Sequence, residues 1–306
     1  MLSENPTLTS CITFDVDLVE YAKNWRISNE FESAIPAILS VLRKYPNIHT
    51  TWYIRLDNQI AELFGSCDFF FKEYFNEFNV MKKLGHELGW HPHTYVKKNH
   101  KWEQNIEISS VLSELLHCAP IAHSYCLKTV RMGWGFQSNE TMQFLNDQGF
   151  FVDSSAIPRP NYPWEETYKD WTTTPAYPYF PSKGDYRVPG KPSLPILEVP
   201  ISVTSIRAPY DKENIQRYIN LAYHPNLLQD PLHQWIQNNS HLVTITHPYE
   251  CFPTGEKHGL LAYSIEAFEK NIFNIMEISK NMNKEVSFIT LSEFAEKFKQ
   301  NGEVNA

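Results

Sequence analysis

Two aspartates one residue apart close an apolar run near the start of the chain, Cys11-Ile12-Thr13-Phe14-Asp15-Val16-Asp17. Alternate residues of a strand face the same side, so both carboxylates would project together from a strand end. Two such charges repel unless a metal ion or another cation compensates them. A second pair with the same spacing follows at His91-Pro92-His93. Asp17, His91 and His93 would supply one carboxylate and two imidazoles. That donor set suits Zn²⁺ or another divalent first-row ion and leaves positions open for water and substrate. Asp15 would then serve as a base, taking a proton from metal-bound water.

Three further polar groups sit where apolar runs end. Arg131 lies in Val130-Arg131-Met132-Gly133-Trp134-Gly135. A guanidinium can hold a carboxylate bidentately, and Arg131 is expected to orient Asp15 or else to make an ordinary structural salt bridge. His247 ends Leu242-Val243-Thr244-Ile245-Thr246. Its titration range suits a general acid for a leaving amine or alkoxide. Asp153-Ser154-Ser155 could bind substrate, tether a histidine or make a turn. No Gly-rich phosphate loop and no Gly-x-Ser-x-Gly elbow is present, so serine nucleophile chemistry has no visible scaffold.

The elements that must carry these groups alternate. Cys11–Asp17, His49–Leu56, Glu87–His93, Thr129–Met132, Phe150–Asp153, Ile196–Val203, Leu242–Thr246 and Val286–Thr290 read as strands. Amphipathic helices are expected over Phe31–Tyr45, Phe69–Lys83, Ile106–His117, Asn139–Gln148, Lys212–Ala222, Ser264–Asn281 and Leu291–Gln300. Repeated strand–helix units imply a parallel sheet, closed into a barrel or doubly wound. In such folds reactive groups gather at the C-terminal ends of strands, which is where all five polar clusters fall. Residues 158–195 break the alternation with many prolines and aromatics and read as a long functional loop. No linker or repeat is visible, so residues 1–306 are expected to form a single domain carrying that insertion.

Bulk composition narrows the function. Hydrophobic residues make up 42% of the chain, enough for a sizeable core. A net charge of −8 argues against a phosphate-backbone partner, so no nucleic acid is expected. The aromatics are compatible with stacking on sugar rings, although most are expected to pack in the core. Five cysteines without zinc-type spacing read as reduced thiols of a cytosolic protein. The first residues lack the apolar core of a signal peptide, and no stretch approaches the roughly 20 apolar residues of a membrane span. The chain is therefore expected to be cytoplasmic.

The order of the clusters resembles the polysaccharide deacetylase (NodB-homology) family, also called carbohydrate esterase family 4. Thr13-Phe14-Asp15-Val16-Asp17 resembles its first motif, and Gly85-His86-Glu87-Leu88-Gly89-Trp90-His91 resembles its Gly-His-Glu-Ile-Gly-x-His segment. Gly149-Phe150-Phe151-Val152-Asp153-Ser154-Ser155 is similar to Gly-Tyr-x-x-Asp-Ser, and Thr246-His247-Pro248 to the final motif. The resemblance implies a distorted (β/α) barrel, often seven-stranded, with Asp15 as base, Asp17 and His91 as metal ligands, and His247 as acid. The chain departs from the family at Tyr95, where the second metal histidine usually lies, and His93 takes that place instead. It departs again after Arg131, where prolines and an aromatic give way to Met132-Gly133-Trp134-Gly135.

The function so implied is metal-dependent removal of an acetyl group from an N-acetylated, or O-acetylated, sugar or glycan precursor. Tyr95, Trp134, Asp153 and Trp164 are expected to contact the sugar, and Tyr162, Trp164 and Trp171 to cover it from the long loop. Two alternatives share the fold: hydrolysis of another non-peptide C–N bond, in a cyclic amide, ureide or formamide, and a catalytically silent glycan-binding protein.

Overall fold

The computed structural model describes residues 6–17, 30–159, 170–251 and 263–303. Tyr162 and Trp164 lie outside them. The chain divides into two compact units, one formed by Met1–Thr51 with Ile201–Thr290, the other by Trp52–Pro200 with Leu291–Ala306.

In the first unit the strand Thr7–Val16 is central. It pairs in parallel with His241–Thr246, Thr9 opposite His241 and Phe14 opposite Thr246, and also with Glu285–Phe288. The strand Thr50–Arg55 follows in order, and its first two residues belong to this unit. Cys11, Ile12, Phe14, Leu242 and Val243 are fully buried, as expected for parallel strands covered on both faces. Covering helices are Ile35–Leu42, Pro225–Asn238 and Ile265–Asn281. Pro36 falls in the first turn of Ile35–Leu42, where its missing N–H costs nothing. The third of these helices is capped by Ser264, whose side chain accepts from the Ala267 N–H.

One expected helix is absent. Lys212–Ala222 contains instead the strand Ile215–Tyr218, antiparallel to Val203–Ile206. The apolar residues there satisfy either period over so short a run, and pairing decided the outcome. The helix in this part of the chain starts later, with Pro225 at its first position.

In the second unit the sheet order is Thr50–Arg55, Glu87–His91, Thr129–Val130, Val152–Asp153, Leu197–Glu198. The path so described holds seven strands, and Glu285–Phe288 is added to it on Thr7–Val16. Helices Ile108–Ser124, Asn139–Asp147 and Leu291–Glu303 belong to this unit. The expected helix over Phe69–Lys83 is broken at Tyr74 into Phe69–Glu73 and Phe75–Lys83. A hairpin, Tyr95–Lys98 with Lys101–Gln104, follows directly on His93.

The described part of the long insertion is well packed. Trp171 and Tyr186 meet edge to face at 5.0 Å, and Arg187 pairs with both Asp170 and Asp185. Trp171 is buried and donates its indole N–H to the Gly135 carbonyl at 2.8 Å, so it serves the interior rather than covering a sugar. Cys11, Cys67, Cys118 and Cys251 are buried free thiols, and Cys126 is exposed. Among the described residues no helix is long and apolar enough to cross a membrane.

Candidate active site

The first unit gathers Asp15, Asp17 and His247. The register that sets Phe14 opposite Thr246 carries Asp15 and His247 to the same strand ends, one residue further on. The strand stops at Val16, and the Asp17 N–H turns back onto the Asp15 carbonyl at 3.0 Å. That i to i+2 closure takes Asp17 out of the strand. The two carboxylates are thus offset by a turn rather than stacked on one strand face. His247 Nε2 lies 3.9 Å from Asp17 Oδ2.

Glu250 holds the histidine from behind. Its Oε2 accepts the His247 main-chain N–H and an Asn220 side-chain N–H, each at 2.7 Å, and lies 3.5 Å from His247 Nδ1. Burial would pull the His247 imidazole down, but Glu250 first, then Asp15 and Asp17, raise it to about 9. The ring is therefore cationic at neutral pH. Sequence reasoning passed over Glu250; an acid three residues after the strand-end histidine was the available signal.

The second unit gathers His91, His93, Arg131, Tyr95 and Trp134. His91 closes its strand, and its Nδ1 lies 2.6 Å from the Arg131 carbonyl. A carbonyl can only accept, so Nδ1 carries the proton and Nε2 presents a lone pair. His93 Nε2 faces it at 3.1 Å, with the rings at 84°. Both imidazoles are buried. His93 lies beyond the strand, so the strand alternation expected for His-x-His is not what brings the rings together. Its main-chain N–H is pinned by Asp57 Oδ2 at 3.2 Å, and Asp57 in turn takes Arg55 Nε at 2.5 Å. Neither Arg55 nor Asp57 was singled out from sequence. The signal was the spacing Arg-x-Asp at a strand end, which points both side chains the same way.

Arg131 is buried. Its Nε donates to the Ser154 carbonyl at 2.8 Å and a terminal nitrogen to Ser154 Oγ at 2.9 Å, while the guanidinium lies 4.4 Å above the Tyr53 ring. Asp153 lies deeper still, with no exposed surface. It accepts from Gln137 Nε2 and Ser155 Oγ. Strand register sets it opposite Glu198. Burial, and then each other's proximity in the case of Glu198, raises both carboxyls, so the pair holds a proton between them. Asp153 thus stands among the supports of Arg131 through Ser154 and Ser155. Ser155 Oγ also receives the Met132 N–H at 2.8 Å.

Trp134 is the outward-facing member. Its indole is 49% exposed, its N–H donates to the Tyr95 hydroxyl, and its backbone has φ of 59°. A tryptophan held left-handed costs about 1–3 kcal/mol, a strain of the kind found at functional sites. The Tyr95 ring lies 5.1 Å from His93.

With these groups placed, likeness to solved structures can be weighed. Over 99% of this chain and 93% of the other, the structure is similar to a candidate polysaccharide deacetylase of Mycobacterium smegmatis, with TM-score 0.59 and 13% identity. The two share a fold. It is the NodB-like deacetylase fold, a distorted (β/α) barrel, as the sequence motifs implied. A 4-alpha-glucanotransferase of Thermococcus litoralis is also similar, with TM-score 0.52 and 12% identity, over 95% of this chain and 40% of that one. The fold therefore accommodates more than one sugar chemistry, and the reaction must be argued from the site. No protein-family model and no curated protein matches the sequence.

Proposed function

We propose that the protein is a metal-dependent hydrolase that removes an acetyl group from an acetylated sugar or glycan precursor. The observation that carries this reading is the facing imidazole pair. Two buried Nε2 atoms 3.1 Å apart, one with its tautomer fixed by a carbonyl on the opposite ring nitrogen, are arranged as metal-binding histidines are. Two nitrogens each about 2.0–2.1 Å from one ion would be separated by roughly that distance. Asp17 completes a set of one carboxylate and two imidazoles, which favours Zn²⁺. When bound, such an ion polarises the acyl carbonyl and activates water.

The chain's own residues supply the proton steps. Asp15 takes a proton from the attacking water. His247 enters the cycle as an imidazolium and gives its Nε2 proton to the leaving sugar nitrogen, or oxygen in an ester. Glu250 keeps its ring charged and turned that way, as the 2.7 Å bond to its main chain and the 3.5 Å approach to Nδ1 indicate. Arg131, anchored on Ser154 and Tyr53, orients Asp15. The Trp134 indole offers the sugar a stacking face.

Acetate release from N-acetylated and O-acetylated sugars, followed before and after chelation, tests the reading. Release should stop on chelation and return with Zn²⁺. Turnover that survives full metal removal would overturn it.

A further inference from the structure

We propose that the cavity between the helix Ile108–Ser124 and Tyr95 is a second sugar subsite, taking a neutral, hydroxyl-rich pyranose ring adjacent to the one that is deacetylated. The subsite itself stands on the cavity; only its adjacency to deacetylation rests on the function proposed above. Its volume is about 610 Å³, within the range of roughly 300–1,000 Å³ of small-ligand pockets. Every residue needed to describe it belongs to the second unit.

The lining chooses the class of ligand. Asn58, Asn105, Ser109, Ser113 and Glu114 offer hydroxyl, amide and carboxyl groups, and no lysine or arginine lines the cavity. A phosphate or nucleotide would find no cation there, and a hydrocarbon ligand would strand the polar lining. A polyol ring matches donors and acceptors of this kind.

Glu114 is the unusual member. It lies within the helix at 5% exposure, and burial, offset in part by the Asn58 N–H, raises its carboxyl to about 8. It therefore keeps its proton at neutral pH. Its Oε1 accepts that N–H at 2.9 Å, which leaves the protonated oxygen as a donor for a ligand hydroxyl.

Tyr95 ties the cavity to the candidate centre. It is a wall of the cavity, its ring lies 5.1 Å from His93, and its hydroxyl receives the Trp134 indole N–H. A ligand of several linked rings would thus have one ring by the histidines and its neighbour beyond Tyr95.

The test uses the full chain loaded with Zn²⁺ and two probes, N-acetylglucosamine and its β-1,4-linked tetramer. Binding is followed by calorimetry and acetate release separately. Ser113 is exposed, so Ser113→Trp fills the cavity without disturbing the core, and Ser113→Thr is the conservative control. The tetramer should bind at least tenfold tighter than the monomer. Ser113→Trp should abolish that advantage and leave monomer binding unchanged, while Ser113→Thr retains it. A tetramer bound no tighter than the monomer, or bound equally by Ser113→Trp, overturns the subsite. Tetramer binding lost in Ser113→Trp with no acetate from either probe would keep the subsite and remove the deacetylase reading. Acetate released equally from both probes, with no tetramer advantage, would do the reverse.

Discussion

Gly133 lies flush against the His93 imidazole: a Cβ built on it would stand 2.3 Å from Cδ2 of the ring. Hydrogen at this position is what lets the chain after Arg131 pass the histidine, with the Gly133 N–H on the Pro92 carbonyl at 2.9 Å. Gly133→Ala must displace one or the other. It should cost about 1–3 kcal/mol in denaturant unfolding and lower bound metal. Gly184→Ala, where the nearest atom is 3.9 Å away, is the control and should change neither.

The buried Arg55–Asp57 pair supports His93 from the other side. Asp57→Asn leaves a buried guanidinium without its counter-charge and should destabilise the protein by about 3–5 kcal/mol. The double substitution Arg55→Met with Asp57→Asn should recover part of that loss. Equilibrium unfolding of the four proteins of this cycle gives the coupling, and an additive result would show that the pair contributes nothing as a pair.

Glu114 makes stability pH-dependent in a defined window. Its folded value of about 8 lies above the ordinary 4.5, because burial outweighs the Asn58 N–H. Between those values the folded chain holds a proton that the unfolded chain has released. The contribution of Glu114 is thus fully present below pH 4.5 and declines as pH rises to 8, above which both states are ionised. Glu114→Gln does not titrate, so its stability relative to the parent should rise steadily across that window and then level off. Unfolding curves at pH 5, 6.5 and 8 read this directly, and a constant difference would contradict it.

His91→Ala and His247→Gln should separate two roles. The first removes an imidazole ligand and should abolish stoichiometric metal. The second should retain metal while lowering kcat on an acetylated sugar by about 10²–10⁴. Metal content and turnover measured on the same preparations check both, and loss of metal in His247→Gln would reassign that residue.

Much of this was legible in the chain itself. Apolar runs ending in Asp15, His91, Arg131, Asp153 and His247 were enough to indicate a parallel α/β fold with polar groups at strand ends, because strand period and burial are local consequences of residue type. The cysteine state was equally plain from spacing. Where two periods fit, sequence could not choose: Lys212–Ala222 has the apolar residues of a helix, yet Ile215–Tyr218 pairs as a strand because Val203–Ile206 lies beside it.

Tertiary structure alone decided how the groups face. The turn that lifts Asp17 off its strand, the Arg131 carbonyl that sets the His91 tautomer, and the Asp57 carboxylate that pins His93 are contacts between residues up to 40 positions apart. Residue types along the chain determine which groups can reach a strand end. Which proton each one carries, and which neighbour holds it there, follows from long-range packing that no local pattern encodes.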